Sequence, residues 1–122
     1  MNIRATAAAA LAVVFVLTSA PVLAHPKLLS STPAANGSAG KLKQITLRFS
    51  ESLVGPVSGG TLSMKMGSGN MAVSLKTAVA KDGKTLIATP EQPLPAGEYM
   101  FDWHVVSTDT HRVAGKLSFT VK

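Results

Sequence analysis

The chain has 122 residues, with 12 lysines and arginines against 6 aspartates and glutamates and no cysteine. Without a thiol there is no disulfide framework, no blue-copper electron-transfer centre, no iron–sulfur cluster and no thiol redox chemistry. The lysines are scattered singly from Lys27 to Lys122, which describes a solvated basic surface rather than a nucleic-acid footprint; a mild attraction to anionic membrane or an acidic partner stays open.

The first segment reads as a leader rather than as part of a fold. Arg4 precedes an apolar run from Ala7 to Leu17, and Val22 and Ala24 are the small residues that a signal peptidase needs before its cut. The run is too short to span a bilayer, which takes roughly 20 apolar residues. Cleavage is expected between Ala24 and His25. Residues 1–24 are then a cleaved signal peptide, and residues 25–122 form one exported domain.

From there the chain reads as strands. Ile45, Leu47 and Phe49 alternate with polar residues, then Leu62, Met64 and Met66 do so. Val73, Leu75, Thr77 and Val79 continue the period of two. The strongest case is Tyr99, Phe101, Trp103 and Val105 on one face, with Met100, Asp102, His104 and Val106 on the other. Leu117, Phe119 and Val121 close the chain. Turn signals stand between, at Asn36-Gly37, Gly59-Gly60, Gly67-Ser68-Gly69, Asp82-Gly83 and Pro95-Ala96-Gly97, with Asp82-Gly83 the best hairpin candidate. No helical period appears. The expectation is an all-β Greek-key sandwich or small barrel of about seven antiparallel strands.

The residues that carry chemistry begin at His25. A histidine at a free N-terminus offers its α-amine and its imidazole to one metal in a single chelate ring. Pro26 has no N–H, so the backbone amide of residue two cannot complete the coordination, and further ligands must come from the fold. Asp109-Thr110-His111 can supply them, because residues i and i+2 of an extended or turn-like segment can point to one side. An amine, two imidazoles and a carboxylate suit tetragonal Cu(II), although zinc can use the same set tetrahedrally. Each piece also has an ordinary explanation. A terminal histidine can be an accident of cleavage, and a D-x-H triplet is common in surface turns.

The run His25-Pro26-Lys27-Leu28-Leu29-Ser30-Ser31-Thr32-Pro33-Ala34 resembles the mature start of the CopC family of periplasmic copper-resistance proteins. Leu47-Arg48-Phe49-Ser50-Glu51-Ser52-Leu53 and Leu94-Pro95-Ala96-Gly97-Glu98-Tyr99 resemble it too. So does the more specific stretch Trp103-His104-Val105-Val106-Ser107-Thr108-Asp109-Thr110-His111-Arg112-Val113-Ala114-Gly115. The resemblance implies a cupredoxin-like, immunoglobulin-like β-barrel with one Cu(II) held by His25, Asp109 and His111. It also implies a carboxylate near the site at Glu51, which is otherwise an ordinary exposed glutamate. The implied role is that of a monomer, not an enzyme, that buffers or carries copper for resistance, homeostasis or transport. An inner-membrane transporter of the CopD type is the implied partner.

Some members of that family bind Cu(I) in a methionine-rich loop that also holds a histidine. The corresponding stretch here, residues 62–73, keeps Met64, Met66 and Met71, has no histidine and is shorter. Thioethers suit Cu(I), which would make these three a weak site; alternation with Leu62 instead places Met64 and Met66 in the core. His104 is expected on the outer face of its strand and Trp103 in the core. A histidine-brace copper oxidase or monooxygenase is the competing function. Asp109 would fill an equatorial position and favour Cu(II), and no aromatic platform for a polysaccharide is evident, so the carrier is preferred.

Overall fold

The computed structural model describes residues 25–122, so the expected leader lies outside the described residues. Among the described residues, nine strands form two stacked sheets. One has β1 (Leu28–Thr32), β3 (Ile45–Phe49), β7 (Thr85–Pro90) and β6 (Leu75–Val79), side by side in that order. The other runs β2 (Gly37–Ala39), β9 (Arg112–Val121), β8 (Gly97–Val106), β4 (Gly59–Met66) and β5 (Gly69–Val73). The sheets do not join into a closed barrel, so the architecture is a sandwich. A single 3-10 turn at Gly55–Val57 is the one helical element among the described residues.

The alternating residues meet between the sheets. Ile45, Leu47 and Phe49 come from one side, with Leu86 and Ala88; Leu62, Tyr99, Phe101, Trp103, Val105, Leu117, Phe119 and Val121 come from the other. Tyr99 and Phe119 are directly opposed across β8 and β9, and their rings stack at 5.5 Å. Phe49 meets Trp103 edge to face at 5.2 Å across the sandwich. Packed aromatic pairs of this kind add about 0.5–1.5 kcal/mol each beyond their buried area. Gly115 makes room for the indole: a Cβ there would stand 2.4 Å from Trp103 Cζ2.

Three features depart from the sequence reading. There are nine strands rather than about seven, and β2 pairs with β9 in parallel, not antiparallel, fashion. The alternation from Val73 to Val79 is two strands in different sheets, with the chain crossing at Ser74. Both sheets face one core, so inward residues keep the same parity across the switch. The hairpin at Asp82-Gly83 is present between β6 and β7. The Asp82 carboxylate accepts hydrogen bonds from the Lys84 and Thr85 amides at 2.8 and 3.0 Å and from the Thr85 hydroxyl at 2.7 Å. Those bonds, led by the Thr85 hydroxyl, hold its carboxyl below the usual carboxylate range.

The register defines two ends of the sandwich. On β8, Tyr99 lies opposite Met64, and His104 lies opposite Gly59. From Tyr99 to Ser107 the strand advances eight residues, roughly 25 Å at about 3.3 Å each. One end therefore carries the methionines, and the other carries the loop of Asp109 and His111.

Candidate metal centre

Three segments meet where β8 leaves its sheet. The loop after β3 and the loop after β8 are pinned together by a backbone bridge between Leu53 and Ser107. Hydrogen bonds from the Val54 amide to the Val106 carbonyl at 2.8 Å and from the Thr108 amide to the Ser52 carbonyl at 3.0 Å reinforce it. The N-terminal segment joins through Lys27 and Ser50. The Lys27 amide donates to Ser50 Oγ, and the Ser50 amide donates to the Lys27 carbonyl, both at 2.9 Å. With Pro26 buried, His25 is carried to the same end.

The Asp109–His111 loop is a closed turn rather than an extended run. The Ser107 amide donates to the His111 carbonyl at 2.9 Å, and the Thr110 amide donates to the Ser107 carbonyl at 2.8 Å. Thr110 takes a left-handed conformation, φ 74°, which turns the chain so that residues 109 and 111 share a side. His111 Nδ1 stands 3.4 Å from Asp109 Oδ1. The His25 ring packs edge to face on the His111 ring, with centroids 4.7 Å apart. His111 Nδ1 is buried and has no hydrogen-bond partner. An imidazole nitrogen left bare beside a carboxylate and a second imidazole is the arrangement expected of a metal ligand, because a buried polar atom otherwise has a hydrogen-bond partner. Among the described residues, no three histidine, cysteine or acidic side chains are already gathered around one point.

Ser107 was not singled out in the sequence. Its side chain is 2% exposed, and its hydroxyl hydrogen-bonds Asp109 Oδ1. That bond is the main reason the Asp109 carboxyl lies below the usual carboxylate range, with the His111 amide and ring adding to it. The signal was available: Ser107 continues the inward series of Tyr99, Phe101, Trp103 and Val105, and a hydroxyl at a core position requires a partner.

Glu51 sits half-buried in the loop after β3, and its side chain joins none of these contacts. His104 lies on the outer face of β8, as expected, opposite Gly59 and Ala114.

The methionines are at the other end. Met64 and Met71 are directly opposed across β4 and β5. They line a cavity of about 230 Å³ with Val73, Leu94, Pro95 and Tyr99. Met64 is partly buried and packs on the core, but Met66 and Met71 are 50% and 48% exposed. The expectation of core packing therefore fails for Met66. Pairing of β4 with β8 ends at Met64 opposite Tyr99, so Met66 runs past the sandwich.

The CopC domain family model matches residues 28–122. A copper resistance protein C of Xanthomonas campestris pv. juglandis is 44% identical over 110 residues, covering 87% of each chain. The crystal structure of PcoC, a methionine-rich copper resistance protein from Escherichia coli, superposes with a TM-score of 0.76 at 44% identity, covering 81% of this chain and all of that one. CopC from Methylosinus trichosporium OB3b superposes with a TM-score of 0.66 at 26% identity, covering 80% of this chain and 94% of that one.

Proposed function

The chain belongs to the CopC domain family, and from that premise we propose that it binds one Cu(II) in the periplasm and buffers or carries the ion. The ligands are the α-amine and imidazole of His25, the Asp109 carboxylate and the His111 imidazole. The observation that carries this reading is the unpartnered His111 Nδ1, 3.4 Å from Asp109 Oδ1, with the His25 ring against its own. Nitrogen and oxygen donors of this kind suit tetragonal Cu(II). Cleavage after Ala24 creates the amine, so the uncut precursor lacks the site. The likeness to copper resistance protein C supports a role in copper resistance or homeostasis, with an inner-membrane transporter of the CopD type as the recipient or donor of the ion.

The carrier reading is favoured over a copper oxidase. A carboxylate beside His111 occupies a coordination position and its charge favours Cu(II) over Cu(I), whereas oxygen chemistry needs an open position and ready reduction. Met64 and Met71 are directly opposed and, with Met66 beyond them, offer thioethers for a weak Cu(I) site. The decisive measurement compares the protein beginning at His25 with one carrying a single extra residue before it. With one equivalent of Cu(II), the first should give a tetragonal EPR signal with nitrogen couplings, and the second should lose tight binding while keeping its fold. Equal affinity in the two would reject the site. Turnover with ascorbate and a polysaccharide would promote the oxidase.

A further inference from the structure

We propose that Ser107 is the positioning residue of this metal site: its buried hydroxyl fixes the Asp109 carboxylate so that one edge faces the ion beside His111 Nδ1. The proposal rests on the ligand set given above. It begins from an economy of protons. The Ser107 hydroxyl has one hydrogen and two acceptors within reach, Asp109 Oδ1 and the His111 carbonyl at 3.3 Å. The carboxylate contact is charge-assisted, so the hydrogen goes there; such bonds are roughly twice as strong as neutral ones. The His111 carbonyl loses nothing, since it already accepts the Ser107 amide at 2.9 Å.

Two donors then converge on Oδ1, the Ser107 hydroxyl and the His111 amide at 3.4 Å, while the bare His111 Nδ1 stands 3.4 Å away. The carboxylate is otherwise on the surface, with its side chain 42% exposed. An exposed aspartate has free rotation about its terminal torsion, and ordering it on metal binding would cost affinity. Ser107 cannot move with it, because its own backbone is held on both sides, by the Leu53 bridge and by the turn through Thr110 and His111. A rigid core residue thus orders a surface ligand before the ion arrives.

The test is a double-mutant cycle on the protein beginning at His25. Cu(II) affinity is measured by competition with a chromophoric chelator, the bound spectrum by EPR, and the melting temperature on the metal-free protein. Ser107→Ala should weaken Cu(II) binding about 10- to 100-fold, the range seen when groups that orient ligands are removed. Its EPR hyperfine splitting should change, and its melting temperature should stay within a few degrees. On an Asp109→Asn background the same change should have no further effect on affinity. An equal loss on that background would show that Ser107 acts through the fold and overturn the proposal, as would unchanged affinity and spectrum in Ser107→Ala. If the unmutated protein itself gave no nitrogen-coupled Cu(II) signal, the ligand set would fall and this proposal with it, a failure visible before any variant is made.

Discussion

The two ends of the sandwich carry different potential donors, histidines and an aspartate at one and methionines at the other, and the fold treats them differently. At the end of β8 beyond Val106, three chain segments are tied together by backbone hydrogen bonds, and a buried serine holds one of the acidic groups. At the other end the hairpin of β4 and β5 projects beyond its neighbour, and two of its three methionines stand half in solvent. The first arrangement fixes donor atoms before any ligand arrives. The second leaves flexible thioethers on a two-stranded ribbon whose outer strand is a sheet edge. Preorganisation lowers the entropic cost of binding, so the same core presents a fixed arrangement at one end and adaptable packing at the other.

The largest separation between the ends should come from pH. Imidazoles and the α-amine must shed protons to bind metal, and an α-amine ordinarily titrates near ~8. Lowering the pH from 8 to 5 should therefore cut Cu(II) affinity by roughly 300- to 500-fold from the amine alone, with the imidazoles adding to the loss. Asp109 should not contribute in that window. Its folded value lies below the ordinary 3.8, so it stays ionised, and its benefit is lost only as the pH falls below that value. Thioethers do not titrate at all, so any metal held at Met64 and Met71 should be indifferent to the same change. A flat Cu(II) affinity over this range, measured by competition titration, would break the distinction between the ends.

A smaller effect should follow from Gly115→Ala. The added methyl would meet Trp103 Cζ2 at 2.4 Å and Cε2 at 2.8 Å. The indole is also packed against Phe49, which limits its room to move aside. Overpacking of this kind costs about 1–3 kcal/mol, and thermal unfolding should show it, with a shift in Trp103 fluorescence. Cu(II) binding should survive in the folded fraction, because the loop from Ser107 to His111 is held by its own hydrogen bonds and its tie to Leu53.

Much of this contrast was legible in the sequence, but unevenly. The alternation of β8 identified its inward face residue by residue, because that strand is buried on one side over its whole length. The same rule merged β5 with β6, since a chain that changes sheets in a sandwich still faces the same core. β1 and β2 left no alternating signature: β1 is largely exposed at a sheet edge, and β2 has only three residues. Asp109 and His111 were visible as a spaced pair. The left-handed Thr110 that turns them to one side was not, because a threonine gives no sign of positive φ. The end of β4–β8 pairing at Met64 is a matter of register, which a methionine's own sequence neighbours do not specify.

The smallest effects should sort the methionines by where that pairing ends. Met64 packs against the core beneath Gly97, whose missing Cβ leaves room for the Met64 methyl group: a Cβ at that position would be 2.5 Å from Cε. Met64→Ala removes that packing and enlarges the cavity beside Tyr99, so it should destabilise the fold by about 1–2 kcal/mol, below the range for fully buried methionines. Met66→Ala removes a side chain that is half in water and has no β8 partner, and should change stability by less than about 0.5 kcal/mol. Replacing Met64, Met66 and Met71 together should leave Cu(II) affinity unchanged, because roughly 25 Å of strand separates them from His111. Denaturant titration of the single variants fixes the stability order, and a Cu(II) titration of the triple variant tests the separation. Equal losses at Met64 and Met66 would mean that the hairpin is packed along its whole length, and the contrast between a fixed end and an adaptable one would fall.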